Sequence, residues 1–170
     1  KTIDHLYELI GALDKYESLS IIFTAANSDY NGSEINRIIQ DYVMVNSHKA
    51  HFFHNLGQIR YLSLLQFAQF IIGNSSSGII EAPSLKIPTI NVGSRQRCRI
   101  KALSVIDSEL NQEAISNAIR SVCHVKQNIK IAFINPYEMD NTSENIYSII
   151  IKRLPIVLSK HFYDLSNILF

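Results

Sequence analysis

The chain reads IGNSSSGIIEAP at residues 72–83, beginning on the last residue of an apolar run, and this stretch decides the fold. The apolar run, Phe70 to Ile72, predicts a buried strand, and the small hydroxyl residues after it predict a turn into a short helix at 77–85. Backbone N–H groups at a helix start have no partners within the helix and lie at its positive end, which suits a phosphate group. The stretch therefore predicts half of a nucleoside-diphosphate pocket.

Side chains around this turn have the chemistry of such a pocket. The serine hydroxyls can donate to phosphate oxygens, and the glycine after them lets the backbone approach a ligand closely. Glu81 lies about one helical turn further on, within reach of a ribose diol, and Arg95 follows the next predicted strand as a forked cation. The candidates in the turn itself are Ser75, Ser76, Ser77 and Gly78.

Each piece also has a purely structural interpretation. A serine-rich turn is often only a helix cap, and Glu81 in a first helical turn is favoured by the helix dipole without any ligand. The basic residues that alternate from Arg95 to Lys101 are typical of a solvated surface. Because these pieces follow consecutive strand ends in order, their combination favours the nucleotide pocket.

Strands alternate with helices at short intervals along the chain. This order predicts an α/β fold with a Rossmann-like parallel sheet and helices on both faces, in which ligands bind beyond the carboxyl ends of the strands. The polar loops that follow the first four strands should meet at that edge. The predicted strands are 20–24, 50–53, 70–72, 89–92 and 104–106. The predicted helices are 3–16, a helix capped by Ser33, 61–68, 77–85, a helix from Asn111 and one from Thr142 or Ser143.

Composition limits the class of function. With 170 residues, 46% hydrophobic and 18% charged, the chain is typical of one globular domain. A net charge of +1 argues against a general nucleic-acid binder. No apolar run reaches the ~20 residues that span a bilayer and no signal peptide is recognised, so we expect a cytoplasmic protein. Cys98 and Cys123 have neither disulfide nor metal-ligand spacing, and we expect no metal and no other cofactor.

The motifs resemble those of one family, the hydrolysing UDP-N-acetylglucosamine 2-epimerases of the sialic-acid pathway, which release N-acetylmannosamine and UDP. The resemblance extends from about Leu6 to Ile150 and is to the family's C-terminal domain, one half of a two-domain glycosyltransferase-B-like fold. The matching segments are Phe23-Thr24, Asn27-Ser28-Asp29, Tyr61-Leu62-Ser63-Leu64-Leu65, Gly73-Asn74-Ser75-Ser76-Ser77-Gly78, Glu81-Ala82-Pro83, Ile87 to Gly93, Arg95-Gln96 and Asn135-Pro136-Tyr137.

The resemblance implies roles for individual residues. Ser75 and Ser76 match the family's diphosphate-binding serines, and Glu81 matches its ribose carboxylate. Arg95 matches an arginine that contacts the nucleotide, and Asn27 matches the asparagine of an Asn-x-Asp loop that also reaches the nucleotide. The implied ligand is UDP or UDP-N-acetylglucosamine.

Two further loop residues have open interpretations. Asp29 belongs to the Asn-x-Asp motif, but an aspartate here is equally typical of a turn bonded to its own loop. His54 follows a strand where related folds contact the base, and it either stacks or hydrogen-bonds there or is a loop histidine without a role.

The resembled family has parts that residues 1–170 do not match. Its C-terminal domain opens with a strand that would precede Lys1, and its N-terminal domain carries the carboxylates for proton transfer at C2 and elimination. The reaction needs a base at C2, stabilisation of the departing UDP and water addition to a glycal-like intermediate. We therefore expect residues 1–154 to be a nucleotide-binding domain that is inactive without the N-terminal domain, where the catalytic residues would lie.

The tail, residues 155–170, is rich in apolar and aromatic side chains. Because a solvated tail rarely exposes so much apolar surface, we expect it to pack on the missing N-terminal domain or on a second copy, as a homo-oligomer.

Departures from the family pattern leave the substrate open. Cys98 stands where the family has a glycine, a residue that allows a positive φ, and Glu138-Met139-Asp140 replaces a glycine-containing sequence. The alternatives are a related epimerase or hydrolase for another UDP- or GDP-linked amino sugar, such as a diacetamido sugar, and a catalytically inactive UDP-binding fragment. A glycosyltransferase of the same fold is less favoured, because the serine and Arg-Gln motifs are not its usual signature.

Overall fold

The computed structural model describes residues 2–27, 31–125 and 133–154. The chain divides into two compact units, residues 1–137 and residues 138–170, and the described strands all lie in the first. Strands and helices occur in the order α1 (Thr2–Leu13), β1 (Ile21–Thr24), α2 (Gly32–Val45), β2 (Ala50–Phe53), α3 (Gly57–Leu65), β3 (Ile71–Gly73), α4 (Ser77–Ile80), β4 (Thr89–Val92), β5 (Val105–Ser108), α5 (Gln112–Val125) and α6 (Thr142–Arg153).

The described strands form two parallel sheets. β1 pairs with β2, with Ile21 opposite Ala50. β4 lies between β3 and β5, with Gly73 opposite Asn91 and Asn91 opposite Asp107. Parallel pairing puts the carboxyl ends of neighbouring strands at one edge of each sheet, and the predicted parallel α/β fold is confirmed.

β4 determines how helices cover the larger sheet. Its four residues are all buried, and alternate side chains of a strand point to opposite faces. Ile90 and Val92 belong to the apolar core that α1, α2 and α5 share with β1 and β2. Thr89 points the other way, and its hydroxyl donates to the Gly78 carbonyl of α4 at 2.7 Å. Helices therefore lie on both faces, as predicted.

Polar contacts fix α1 against α5 on the core side. The Gln112 side chain donates to the Gly11 carbonyl at 2.6 Å, and the Gln112 backbone N–H donates to Glu8 Oε2 at 2.7 Å. The Tyr16 hydroxyl donates to the Ser116 carbonyl at 3.0 Å. Two helices that are far apart in the sequence are thus part of one unit.

Two helix starts and ends differ from prediction for identifiable reasons. The predicted Ser33 cap is wrong, because α2 already begins at Gly32 after Asn31, which has a left-handed φ of 68°. The helix predicted at 77–85 ends at Ile80, and turns follow, because Pro83 lacks the N–H that a continuing helix needs. The other elements differ from their predicted bounds by no more than four residues.

The second unit contributes α6, which begins at Thr142 as predicted and ends at Arg153. The tail, residues 155–170, lies outside the described residues, so its packing and self-association stay predictions. In the described ranges, no helix combines the length and the apolar character needed to cross a membrane.

Candidate nucleotide-binding site

The serine loop, residues 74–77, follows β3 directly. Ser75 is exposed, and its Oγ accepts a hydrogen bond from the Ser77 backbone N–H at 3.3 Å. Ser76 precedes α4, and its carbonyl accepts from the Ile79 and Ile80 N–H groups at 3.0 and 2.9 Å. The Ser76 side chain makes no capping hydrogen bond to α4. A cap interpretation of this hydroxyl is therefore wrong.

Ser77 and Glu81 face each other across the single turn of α4. The Glu81 N–H donates to the Ser77 carbonyl at 2.9 Å, and the Ser77 hydroxyl hydrogen-bonds to Glu81 Oε2. The Tyr61 hydroxyl from α3 lies 2.8 Å from the same Ser77 Oγ. Burial raises the pKa of Tyr61, the Ser77 hydrogen bond partly opposes this rise, and the Glu81 charge adds to it.

Gly78 has a packing role that the sequence did not predict. It is buried in α4, and a Cβ at this position would lie 2.5 Å from Thr89 Cγ2. The missing side chain therefore lets α4 pack closely on β4, and the approach of the Gly78 backbone to a ligand stays a prediction.

The arginine loop, residues 94–99, follows β4. Gly93 begins it with a positive φ of 81°, which favours glycine, and its N–H donates to the Ser108 carbonyl at 2.9 Å. Arg95 is exposed, whereas Gln96 is buried and donates from Nε2 to the Asn74 carbonyl at 2.9 Å. This hydrogen bond joins the arginine loop to the serine loop.

Cys98 lies in the turn of the arginine loop and is exposed. Its φ is not positive, so the turn forms without the left-handed conformation that a glycine at this position would permit. The departure from the family pattern therefore does not strain the backbone at this residue.

A polar cluster links β4 to β5 beside the arginine loop. The Asn91 side chain donates to Asp107 Oδ1 at 2.7 Å, and Lys101 Nζ lies 2.7 Å from both Asp107 oxygens. Partial burial by itself raises the pKa of Asp107, but the hydrogen bonds from Lys101 and Asn91 and the Lys101 charge outweigh it and leave the pKa below its usual value.

The Asn135-Pro136-Tyr137 segment contacts the end of α4 and the residue that follows the arginine loop. Asn135 Nδ2 donates to the Ile80 carbonyl at 2.8 Å, at the end of α4. The Tyr137 hydroxyl donates to the Ile100 carbonyl at 3.0 Å, just after the arginine loop. The segment therefore bridges the two elements even though Glu138-Met139-Asp140 follows in place of the family's glycines.

Two predicted site residues follow the strands of the other sheet. Asn27 is exposed at the end of the described loop after β1, and Asp29 lies outside the described residues. His54 is exposed; its ring packs edge-on against Phe52 with centroids 4.9 Å apart, and its Nε2 lies 3.4 Å from Gln40 Nε2. The structure thus brings together the loops of Ser75, Ser76 and Arg95, with Glu81 at the end of α4 next to them. Asn27 and His54 instead follow β1 and β2.

The model of the UDP-N-acetylglucosamine 2-epimerase family matches residues 1–151 of the chain. The chain belongs to this family. Its relatives include the hydrolysing GDP/UDP-N,N'-diacetylbacillosamine 2-epimerase of Campylobacter jejuni, which is 52% identical over 103 residues, covering 61% of this chain and 27% of that protein. The polysialic acid biosynthesis protein P7 of Escherichia coli is 34% identical over 156 residues, covering 86% and 38%.

A solved structure supports the fold of this epimerase-family chain. UDP-GlcNAc 2-epimerase from Methanocaldococcus jannaschii matches with a TM-score of 0.61 at 19% identity, over 88% of this chain and 41% of that one. The epimerase-family chain therefore spans between about a quarter and two fifths of the length of these relatives.

Three residues that position the site in this epimerase-family chain were not predicted to do so. Tyr61, Gln96 and Asn135 all lie in segments that carry the family resemblance, but nothing in their spacing indicates which loop each one contacts. Asn91 is a polar residue in a strand that is otherwise well suited to burial. It is the one feature of the local sequence that indicates the polar cluster.

Proposed function

We propose that this chain is the nucleoside-diphosphate-binding part of a hydrolysing nucleotide-sugar 2-epimerase. The observation that carries the proposal is the 2.9 Å hydrogen bond from Gln96 Nε2 to the Asn74 carbonyl. It joins the serine loop to the arginine loop at the carboxyl ends of two neighbouring parallel strands, which is where α/β folds bind ligands.

The proposed diphosphate site uses hydroxyl groups and one cation. Ser75 and Ser76 donate to the phosphate oxygens, and the exposed Arg95 offers the fork of N–H groups that suits phosphate geometry. A nucleoside diphosphate gains negative charge as it leaves the sugar, so the same donors would stabilise the departing group.

Glu81 is proposed to accept hydrogen bonds from the ribose hydroxyls. Its Oε2 accepts the Ser77 hydroxyl, while Oε1 has no hydrogen bond to any described residue. Because an ionised carboxylate is an acceptor at both oxygens, Oε1 is suited to a sugar diol.

The proposed substrate is UDP-N-acetylglucosamine, which would give N-acetylmannosamine and UDP for sialic-acid-type sugar synthesis. A second candidate is a diacetamido sugar linked to UDP or GDP, because the Campylobacter jejuni relative named for such a substrate is 52% identical over its match. The serine and arginine loops contact a diphosphate in either case, so comparing the affinities for UDP and for GDP shows which base is preferred.

We further propose that residues 1–170 need another domain for catalysis. Next to the serine and arginine loops, Glu81 is bonded to Ser77 and Asp107 is paired with Lys101, so neither of these two carboxylates is placed as an unpaired base for the proton at C2. This supports a base from an N-terminal domain and no epimerase activity without it.

The split sheet supports the same proposal. In the described chain, β1 pairs only with β2 and β3 pairs only with β4, although Phe23 and Ile72 contact one common core. Because unpaired strand edges readily accept another strand, we propose that a strand from outside residues 1–170 joins β1 to β3. We also propose that the tail, residues 155–170, packs on an N-terminal domain or on a second copy in a cytoplasmic homo-oligomer.

Isothermal titration calorimetry with UDP tests the diphosphate site. We expect Ser75→Ala combined with Ser76→Ala to weaken UDP binding by about 1–3 kcal/mol, the range for hydrogen bonds to charged groups. The matched control is Ser63→Ala with Ser121→Ala, because these exposed helical serines donate only to the carbonyls of Ile59 and Asn117.

The control variant should bind UDP as the wild type does. Equal UDP affinity in the wild type and the Ser75/Ser76 variant would contradict the assignment of the diphosphate to the serine loop.

A further inference from the structure

Three side chains form a continuous hydrogen-bonded chain beside the proposed ribose site. The Tyr61 hydroxyl on α3 lies 2.8 Å from Ser77 Oγ on α4, and Ser77 Oγ bonds to Glu81 Oε2. Tyr61 and Ser77 are both only partly exposed. These hydrogen bonds therefore connect Tyr61 on α3 to the carboxylate proposed to meet the sugar.

The direction of the two hydrogen bonds follows from the chemistry of the groups. An ionised Glu81 carboxylate can only accept, so Ser77 must donate its single hydroxyl hydrogen to it. Ser77 Oγ then has only lone pairs left for Tyr61, whose hydroxyl must be the donor. The order of donation is thus Tyr61 to Ser77 to Glu81.

We infer that Tyr61 is a positioning residue that holds Glu81 toward the ribose through Ser77, an inference that rests on the proposed function. Ser77 consequently serves the carboxylate and does not donate to phosphate, unlike Ser75 and Ser76. Tyr61 touches no ligand in this assignment.

Two physical effects make the Tyr61–Ser77–Glu81 hydrogen bonds useful to a binding site. The terminal torsion of a glutamate rotates broadly, so an anchor on Oε2 limits the orientations of Oε1 before any ligand arrives. Successive hydrogen bonds also polarise one another, so donation from Tyr61 strengthens the bond from Ser77. A tyrosine hydroxyl is protonated at neutral pH, and burial raises the pKa of Tyr61 further, so this hydroxyl is available as a donor.

A purely structural role for Tyr61 would be to dock α3 onto α4. That role predicts that loss of the hydroxyl weakens every ligand equally. A positioning role predicts instead a selective loss for ligands with a ribose diol, which makes the two roles distinguishable with a pair of nucleotides.

The experiment measures the affinities of the 170-residue chain for UDP and for 2′,3′-dideoxy-UDP, which lacks the diol. We expect the wild type to prefer UDP, and Tyr61→Phe to reduce this preference by about three- to tenfold while leaving dideoxy-UDP affinity unchanged. Tyr16→Phe is the matched control, because it removes one hydroxyl bond, to the Ser116 carbonyl, away from the site. It should keep the wild-type preference.

A double-mutant cycle tests whether Tyr61 acts through Glu81 and does not rely on one variant alone. If Tyr61 acts through Glu81, then Tyr61→Phe should not reduce the preference further in a Glu81→Ala background. Ser77→Ala should reduce the preference for UDP as Tyr61→Phe does. Because it keeps the Tyr61 side chain, it also tests the inference if Tyr61→Phe folds poorly.

The outcomes separate the inference from the proposed function. Wild-type binding of UDP with an unchanged preference in both Tyr61→Phe and Ser77→Ala would overturn the positioning role alone. A wild-type chain that binds both nucleotides equally would overturn the ribose role of Glu81 together with the inference. A chain that binds neither nucleotide would overturn the proposed function as well.

Discussion

The β3–β4–β5 sheet and the β1–β2 sheet belong to one compact unit but differ in how their carboxyl-end loops are held. After β3 and β4, Gln96 bonds to the Asn74 carbonyl, 22 residues away, and connects one loop to the next. After β1, Asn36 bonds to Ala26, 10 residues away, within one loop and its following helix. The loops after β3 and β4 are therefore the part of the proposed site that is hydrogen-bonded together before a ligand binds.

Burial of the strands differs in the same direction. β4 has a strand on each side and helices over both faces, and all its residues are buried. β1 is paired on one side in the described chain, and Ile22 and Thr24 are exposed. A rigid strand supports a precise loop, so the two loops after the larger sheet are better suited to hold a ligand in one geometry.

The largest expected effect is on stability and compares a core isoleucine of β4 with the exposed isoleucine of β1. Ile90→Ala empties a fully buried position in β4 and should lower the free energy of unfolding by about 2–5 kcal/mol. Ile22→Ala in β1 removes a side chain that is 40% exposed and should cost less than about 2 kcal/mol. Urea unfolding measures both. Equal losses would show that the two sheets support the unit equally.

The elements were predictable because their signals are local. Apolar runs in β4 and helical repeats in α5 were sufficient, since each is confined to neighbouring residues. Asn31 shows the limit. The sequence favours Ser33 as a cap, whereas the chain uses a left-handed asparagine, a choice between two polar residues that their types alone do not decide.

The site was predictable as a set of loops but not as a set of contacts. Its residue types follow the strand ends, which places Ser75 and Arg95 at one edge. The Ser77–Glu81 bond follows from their spacing of four residues once α4 begins at Ser77, but the contact of Ser77 with Tyr61 depends on how α3 packs on α4. The packing contact of Gly78 was not predictable for the same reason, because its neighbour Thr89 comes from a separate strand.

The smallest expected effect is a pH dependence in the β3–β4–β5 region. Asp107 has a lowered pKa in the folded chain, so its stabilisation is present above the unfolded pKa and is lost as pH falls through the folded pKa, below about pH 4. Asp107→Asn should therefore lower the free energy of unfolding slightly at pH 7, and the difference from wild type should shrink on acidification. The effect is small because the Asp107 side chain is 60% exposed.

Urea unfolding at pH 7 and near pH 3 measures this dependence. Lys101→Met is the companion variant, because it removes the cation but keeps much of the side-chain volume. A difference between wild type and Asp107→Asn that grew on acidification would contradict the assigned direction of the pKa.

Hydrogen exchange with and without UDP tests whether the nucleotide binds at the loops after β3 and β4, because it reports both sheets in one measurement. We expect UDP to slow exchange most at amides in residues 74–81 and 94–97, which follow β3 and β4, with smaller changes after β1 and β2. Exchange in residues 74–81 and 94–97 that is the same with saturating UDP as without it would show that the nucleotide does not bind at these loops.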